Sequence, residues 1–108
     1  TMEMALVGEE IFGPVAALIR FESEDEAVTL ANATPFGLAA YLFSRDIGRA
    51  WRVAERLEAG IVGVNEGIFS NETVPFGGIK ESGLGREGAA EGLDEYLETK
   101  FICLGGIA

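Results

Sequence analysis

The sequence contains no histidine and a single cysteine, Cys103. Without histidine, the chain cannot by itself form a Ser-His-Asp triad, a Cys-His pair or an imidazole metal site. A single cysteine also excludes an internal disulfide framework and a cysteine-rich zinc site. Cys103 lies between two aliphatic residues and has no adjacent basic residue to activate it, so we expect a buried, unreactive thiol. The sequence therefore predicts neither a catalytic residue nor a metal site within this chain.

Basic residues and long apolar runs are also scarce. The chain has 8 Lys and Arg residues against 18 Asp and Glu residues, a net charge of −10. This balance argues against nucleic acid or an anionic membrane as a partner. No stretch approaches the roughly 18 apolar residues of a membrane span, and no signal-peptide pattern opens the sequence. We therefore expect a cytoplasmic protein, and 108 residues correspond to one domain.

Glycine, in contrast, is abundant. It accounts for 15 of 108 residues, about twice the usual share of roughly 7%. Eleven of the 15 lie between Gly60 and Gly106. We therefore expect tight turns or close backbone approaches in the second half of the chain.

The apolar pattern predicts an α/β fold. Apolar runs at residues 15–21, 38–43 and 61–65 are typical of buried strands, and helical periodicity separates them. This order predicts a βαβαβ layer with parallel strands. The rest of the chain is predicted to hold, in order, a glycine-rich loop at 66–88, a short helix at 89–96 and a final strand at 101–104.

Local signals set the expected helix boundaries. Ser23 and Glu26 have the spacing of a capping box, and Pro35 is expected to end that helix. Asp46 is expected to cap the second helix. Gly60 lies where a left-handed residue would end it.

The glycine pattern at residues 83–88 matches G-x-G-x-x-G, which is found in dinucleotide-binding turns. That mechanism requires a strand directly before the pattern and an acidic residue about 20 positions after it. The chain has neither. We therefore expect this segment to form turns and to contribute to packing.

Four residues leave two interpretations open on chemistry alone. Glu10 and Phe12 could belong to a solvated loop anchored by the ring in the core, or could present a carboxylate and an aromatic face to a ligand. Phe76 could fill the core or line a cleft, and Ser70 could close a turn or donate a hydrogen bond into that cleft.

Several motifs together resemble the C-terminal part of the aldehyde dehydrogenase superfamily. They are EEIFGP at residues 9–14, NATPFGL at 32–38, GIVGVN at 60–65 and PFGGIKESGLGREG at 75–88. The segments GIFSNE at 67–72 and YLETKFIC at 96–103 are most similar to the succinate-semialdehyde dehydrogenase branch. The resemblance implies the α/β fold of that family over the whole chain.

The resemblance also implies an activity. Members of the family oxidise aldehydes with NAD or NADP: a cysteine attacks the aldehyde, hydride passes to the nicotinamide, and a Glu-activated water hydrolyses the thioester. Glu10 falls at the position that binds the nicotinamide-side ribose, and Phe12 beside the nicotinamide. Ser70 corresponds to a contact with the substrate carboxylate in the succinate-semialdehyde branch, and Phe76 to a wall of the aldehyde tunnel.

The resemblance covers about the last quarter of a family member. The nucleotide-binding domain, the nucleophilic cysteine and the general base would lie outside this chain, so the chain alone is expected to be inactive. Arg86 and Glu98 match charges that tie the C-terminal region together near a subunit interface. Residues 96–108 are accordingly expected to form an oligomerisation strand of a homo-oligomer.

Overall fold

The computed structural model describes residues 2–69 and 71–106 and shows a mixture of helices and strands. The helices are α1 (Ala5–Gly8), α2 (Glu24–Asn32), α3 (Ile47–Arg56) and α4 (Glu91–Asp94). The strands are β1 (Phe36–Gly37), β2 (Ala39–Leu42), β3 (Ile61–Val64) and β4 (Ile79–Lys80). The predicted α/β class is therefore confirmed.

Side-chain caps begin both of the longer helices. The Oγ atom of Ser23 accepts a hydrogen bond of 3.1 Å from the backbone N–H of Glu26 at the start of α2. A carboxylate oxygen of Asp46 accepts one of 3.1 Å from the backbone N–H of Arg49 at the start of α3. Both predicted caps are confirmed. The carboxylate of Glu26 accepts a bond from the N–H of Glu22, one residue before the position that a capping box would use.

The strands form two small sheets. β2 and β3 are parallel, with Ala39 opposite Ile61, and α3 connects them. This βαβ unit confirms the second half of the predicted parallel layer. β1 and β4 are antiparallel, with Gly37 opposite Ile79, so part of the glycine-rich segment pairs with the chain that precedes β2.

Three expectations about regular structure are corrected. Residues 15–21 and 101–104 are not strands; both segments are exposed and pair with no other strand in the described part of the chain. A strand needs hydrogen-bonding neighbours, which an apolar run alone does not provide. The loop at 66–88 contains β4 and a bridge between Phe76 and Glu87, and is therefore more regular than predicted.

Gly60 does not have the predicted left-handed conformation. The residues with positive φ do not include it, and α3 ends at Arg56, with Leu57 as the C-cap, whose N–H donates to the carbonyl of Val53 over 3.1 Å. The reason for a glycine here is proximity, because a Cβ atom would overlap the carbonyl oxygen of Gly77.

The hydrophobic core is small. In the described residues the only buried hydrophobic side chains are Val28 and Ala50, which are 5% and 2% exposed. Trp51, a large apolar residue of α3, remains 66% exposed. The Cα radius of gyration is 19.3 Å, compared with about 13 Å for a compact chain of this length. The chain therefore presents apolar surface that it does not cover itself.

Charged side chains connect the two longer helices. Glu24 at the start of α2 accepts two hydrogen bonds from the guanidinium of Arg52, at 3.2 and 3.3 Å. Arg56 reaches Asp25 at 2.8 Å. The hydrogen bond with Glu24 raises the pKa of Arg52 above its ordinary value. Among the described residues no helix is both long and apolar enough to span a membrane.

Candidate functional site

The glycine-rich segment packs backbone to backbone against the strands. The N–H of Gly60 donates to the carbonyl of Gly37 over 2.9 Å. The N–H of Gly37 in turn donates to the Oγ atom of Ser82 over 2.9 Å. A Cβ atom on Gly37 would lie 2.8 Å from the carbonyl oxygen of Glu58. The glycines expected from composition to permit close approach do so at this junction.

The pattern at residues 83–88 forms turns. All three of its glycines have positive φ: +111° at Gly83, +81° at Gly85 and +68° at Gly88. α4 begins only at Glu91, so no helix opens on the pattern in the way that dinucleotide binding requires. The turn interpretation is confirmed.

Phe76 lines the first of two cavities in this region. The cavity has a volume of about 790 Å³ and is bounded by Leu38, Ser82 and the turns between Gly77 and Tyr96. The backbone of Phe76 is fixed by two hydrogen bonds with Glu87, at 2.7 and 2.8 Å. Its side chain is 41% exposed, so the ring forms a wall of the cavity and does not fill the core.

Glu10 lines the second cavity, of about 540 Å³. Leu38 and Ser82 line both cavities, so the two adjoin across these residues. Phe12 lines neither cavity and is 93% exposed, which excludes the interpretation that its ring anchors the loop in the core of this chain. The structure therefore brings Glu10 and Phe76 to neighbouring cavities.

Ser70 lies outside the described residues. The preceding Phe69 packs against Tyr41, with ring centroids 5.1 Å apart. Both rings lie over Gly63, where a Cβ atom would be 2.9 Å from Tyr41 and 3.0 Å from Phe69. The segment that leads to Ser70 is therefore held against β2 and β3.

Arg86 bonds to the backbone of its own loop. Its Nη1 atom donates to the carbonyl oxygens of Gly78 and Gly85, at 2.8 and 2.7 Å. Its N–H donates to a carboxylate oxygen of Glu95 over 3.3 Å. Within the described residues it forms no ion pair with Glu98, which is exposed in a segment without regular structure.

One cluster in the structure was not predicted from the sequence motifs, and we call it the Lys80 clamp: Lys80 with Asn32, Thr34 and Glu58. The Nζ atom of Lys80 donates to the carbonyl oxygens of Asn32 and Thr34, at 2.9 and 3.2 Å. The same atom is 2.6 Å from a carboxylate oxygen of Glu58. The clamp joins β4 to the C-terminal ends of α2 and α3.

Two further features support the clamp. The side-chain amide of Asn32 donates to the carbonyl of Arg56 and accepts from the N–H of Glu58, both over 2.8 Å. Lys80 itself has a φ of +56°, a conformation that costs a residue other than glycine about 1–3 kcal/mol and persists only where its surroundings enforce it. Its two carbonyl contacts could not be predicted from the sequence pattern, because the partners are 48 and 46 residues away along the chain.

The described residues do not assemble a nucleophile with a base. Cys103 is exposed, which corrects the expectation that it is buried; its segment, residues 101–104, pairs with no strand in the described part of the chain. No group of three or more His, Cys, Asp or Glu side chains in the described part could hold a metal ion. The described residues instead form two adjoining cavities, one lined by the carboxylate of Glu10 and the other by the ring of Phe76.

Comparison with known proteins identifies the relatives of the chain. It is 61% identical over 107 residues to 3-sulfolactaldehyde dehydrogenase of Pseudomonas putida, a match that covers 99% of the chain and 22% of that protein. The solved structure of succinate-semialdehyde dehydrogenase from Burkholderia pseudomallei is 64% identical, with a TM-score of 0.85, over 89% of this chain and 20% of that one.

A third similar protein is betaine aldehyde dehydrogenase from Staphylococcus aureus, solved in complex with NAD+. It is 48% identical, with a TM-score of 0.89, over 93% of this chain and 20% of that one. The chain thus spans about one fifth of the length of these relatives. The sequence model of the aldehyde dehydrogenase family matches residues 1–102, so the chain belongs to the aldehyde dehydrogenase family.

Proposed function

We propose that this chain is the C-terminal part of an NAD(P)-dependent succinate-semialdehyde dehydrogenase, which oxidises succinate semialdehyde to succinate. The motifs at residues 9–14, 67–72 and 75–88 support the proposal. So does the 64% identity to the succinate-semialdehyde dehydrogenase of Burkholderia pseudomallei. The nucleophilic cysteine, the general base and most of the nucleotide site belong to the remainder of the enzyme, and the 108-residue chain alone is inactive.

The observation that carries the proposal is the pair of adjoining cavities. Glu10 lines one and Phe76 the other, with Leu38 and Ser82 between them. Hydride transfer requires the cofactor and the aldehyde to meet side by side, and two cavities with a common wall suit this requirement.

The residues present fit an edge of a nicotinamide cofactor. The carboxylate of Glu10 is exposed at its cavity and can accept hydrogen bonds from ribose hydroxyls. The ring of Phe12 is free to pack against an aromatic face. The cofactor supplies the hydride acceptor, and these two side chains orient it.

On the substrate side, Ser70 donates a hydrogen bond to the carboxylate of the substrate and Phe76 borders the aldehyde. The test uses the full-length enzyme that contains this chain. Replacing Ser70 by Ala is expected to raise KM for succinate semialdehyde about tenfold or more, because a hydrogen bond to a charged group is lost. KM for butanal, which has the same length and no charge, should change little. The Ser70→Thr variant retains a hydroxyl and serves as the control.

Equal changes of KM for the charged and the uncharged aldehyde would refute the role of Ser70. They would also remove the residue-level support for the succinate-semialdehyde assignment.

A second substrate is favoured by the 61% identity to 3-sulfolactaldehyde dehydrogenase of Pseudomonas putida. Both substrates are short aldehydes that end in an anion, a carboxylate in one and a sulfonate in the other. Measuring kcat/KM for both on the same enzyme decides between them. A preference of about tenfold for 3-sulfolactaldehyde, which corresponds to about 1.4 kcal/mol of transition-state binding, would replace the first assignment by the second.

The exposed apolar side chains support two further parts of the proposal. Several large ones, including Tyr96, Phe101 and Leu104, lie in the last described segment. An uncovered apolar surface of this kind marks a contact surface. We therefore propose that residues 96–108 act as an oligomerisation strand of a homo-oligomer, in which residues 101–104, unpaired in the described part of this chain, gain a partner strand from another subunit. The single cysteine agrees with a reducing compartment, and we place the enzyme in the cytoplasm.

A further inference from the structure

The Lys80 clamp adjoins both cavities of the candidate site, although Lys80 itself lines neither. Asn32, Thr34 and Glu58, which accept from or pair with the ammonium group, all line the cavity that contains Glu10. The peptide of Lys80 belongs to β4, which directly follows Gly77 and Gly78 in the wall of the other cavity. One side chain thus links the wall of the first cavity to the backbone of the second.

Only a short stretch of chain separates the clamp from Phe76. Phe76 precedes Lys80 by four residues, and β4 itself contains only Ile79 and Lys80. Such a short strand provides few ladder hydrogen bonds to hold the loop. The ammonium group adds two hydrogen bonds and an ion pair, and the side chain is only 24% exposed, so these contacts are partly shielded from water.

The backbone of Lys80 supports the same conclusion independently. A φ of +56° is unfavourable for lysine, and glycine would adopt it without strain. Glycine occupies many neighbouring positions in this segment. A lysine held in a conformation better suited to glycine indicates that the side chain itself is required at this position.

We propose that Lys80 is a positioning residue of the dehydrogenase, which sets the distance between the cofactor-side wall with Glu10 and the aldehyde-side wall with Phe76. This inference rests on the proposed function. Because hydride transfer is sensitive to the alignment of donor and acceptor, a small displacement of one wall lowers the rate of the chemical step.

The test replaces Lys80 by Met in the full-length enzyme, with succinate semialdehyde and the form deuterated at its aldehyde carbon as substrates. We expect kcat/KM to fall about ten- to hundredfold, in the range that a displacement of about 1 Å produces. We also expect a larger deuterium isotope effect on kcat/KM, since hydride transfer becomes more limiting. A variant that is merely less stable loses active enzyme and keeps the isotope effect and KM of the wild type.

Three companion variants separate the contributions. Lys80→Gly removes the same ammonium group and relieves the strained backbone, and should resemble Lys80→Met. Glu58→Gln leaves both carbonyl contacts of Lys80 intact, and should give a smaller change in the same direction. Arg45→Met removes a cation from an exposed residue that forms no ion pair in the described part of the chain, and should behave like the wild type.

The outcomes distinguish this inference from the proposed function. A wild-type enzyme that oxidises neither anionic aldehyde overturns both. An active wild type, together with unchanged KM and isotope effect in Lys80→Met, overturns the positioning role alone, as do wild-type kinetics in Lys80→Gly. If Lys80→Met does not fold, Glu58→Gln decides: an unchanged isotope effect and KM in that variant overturn the proposal.

Discussion

Replacing Gly60 by Ala tests the close packing between β3 and the glycine-rich segment. The new methyl group would overlap the carbonyl oxygen of Gly77 and lie 2.8 Å from its carbonyl carbon and 2.9 Å from the Cα atom of Gly78. Ordinary van der Waals contact begins near 3.4 Å. Because all three neighbouring atoms are backbone, no side chain can rotate away, and the loop has to move by more than about 1 Å to relieve the overlap with the carbonyl oxygen.

The energetic cost follows from two contributions. Forcing a methyl group into a packed site costs about 1–3 kcal/mol. Weakening the hydrogen bond of 2.9 Å from the N–H of Gly60 to the carbonyl of Gly37 costs about 0.5–1.5 kcal/mol. Together we expect a loss of about 1.5–4.5 kcal/mol in the free energy of unfolding. Thermal unfolding of the full-length enzyme should therefore show a lower Tm, and KM for the aldehyde should rise because Phe76 moves with the loop.

Gly8→Ala is the matched control. Gly8 ends α1, and a Cβ atom there has no neighbour within 4 Å, so the substitution should leave Tm near the wild-type value. A Tm for Gly60→Ala equal to that of Gly8→Ala would refute the conclusion that this glycine is required by proximity.

Three further changes test separate parts of the structure. Asn32→Ala removes two hydrogen bonds of 2.8 Å between α2 and the end of α3, and should lower the urea midpoint by an amount equivalent to about 1–3 kcal/mol; an unchanged midpoint would contradict this link. At the start of α3, the hydrogen bond from the N–H of Arg49 lowers the pKa of Asp46. The charged cap therefore stabilises the fold at pH values above the unfolded pKa of about 4, and this stabilisation is lost as pH falls through the lower folded pKa. Unfolding followed by circular dichroism should show that the stability difference between the wild type and Asp46→Asn shrinks in acid. A difference that stays constant with pH would show that the charge of Asp46 does not contribute. Glu10→Gln should lower kcat in steady-state assays with little change in KM for the aldehyde, and an unchanged kcat would count against the role of Glu10 at the ribose.

The features predicted correctly from the sequence depend on neighbouring residues. Ser23 and Asp46 cap their helices through backbone groups three residues ahead, so the signal and its partner occur in the same short window. The parallel pairing of β2 and β3 was also predicted, because the helix that connects them constrains their direction. Local chemistry was sufficient for this half of the fold.

The errors concern features that depend on distant partners. Residues 15–21 and 101–104 have the apolar composition of strands, but a strand forms only where another strand offers its backbone. Cys103 is exposed for the same reason. The Lys80 clamp was not predicted, because Lys80 contacts carbonyl oxygens 46 and 48 residues away along the chain. Its positive φ is not predicted by the residue type either, since lysine rarely adopts this conformation.

The exposed apolar side chains explain why the core is small, and some of them lie in the same segment as two residues of the candidate site. The exposed apolar side chains include Phe12, Leu18 and Phe21 before α2, and Tyr96 and Phe101 after α4, so they lie on both sides of the packed region. Burying such side chains stabilises a protein by about 1.5–3 kcal/mol each. This chain alone lacks that stabilisation, and it would be gained where another segment or subunit covers these side chains. The segment before α2 that contains Phe12 also contains Glu10, two residues earlier. Under the proposed function, we therefore expect the cofactor edge formed by these two side chains to be ordered only when the remainder of the enzyme covers residues 15–21.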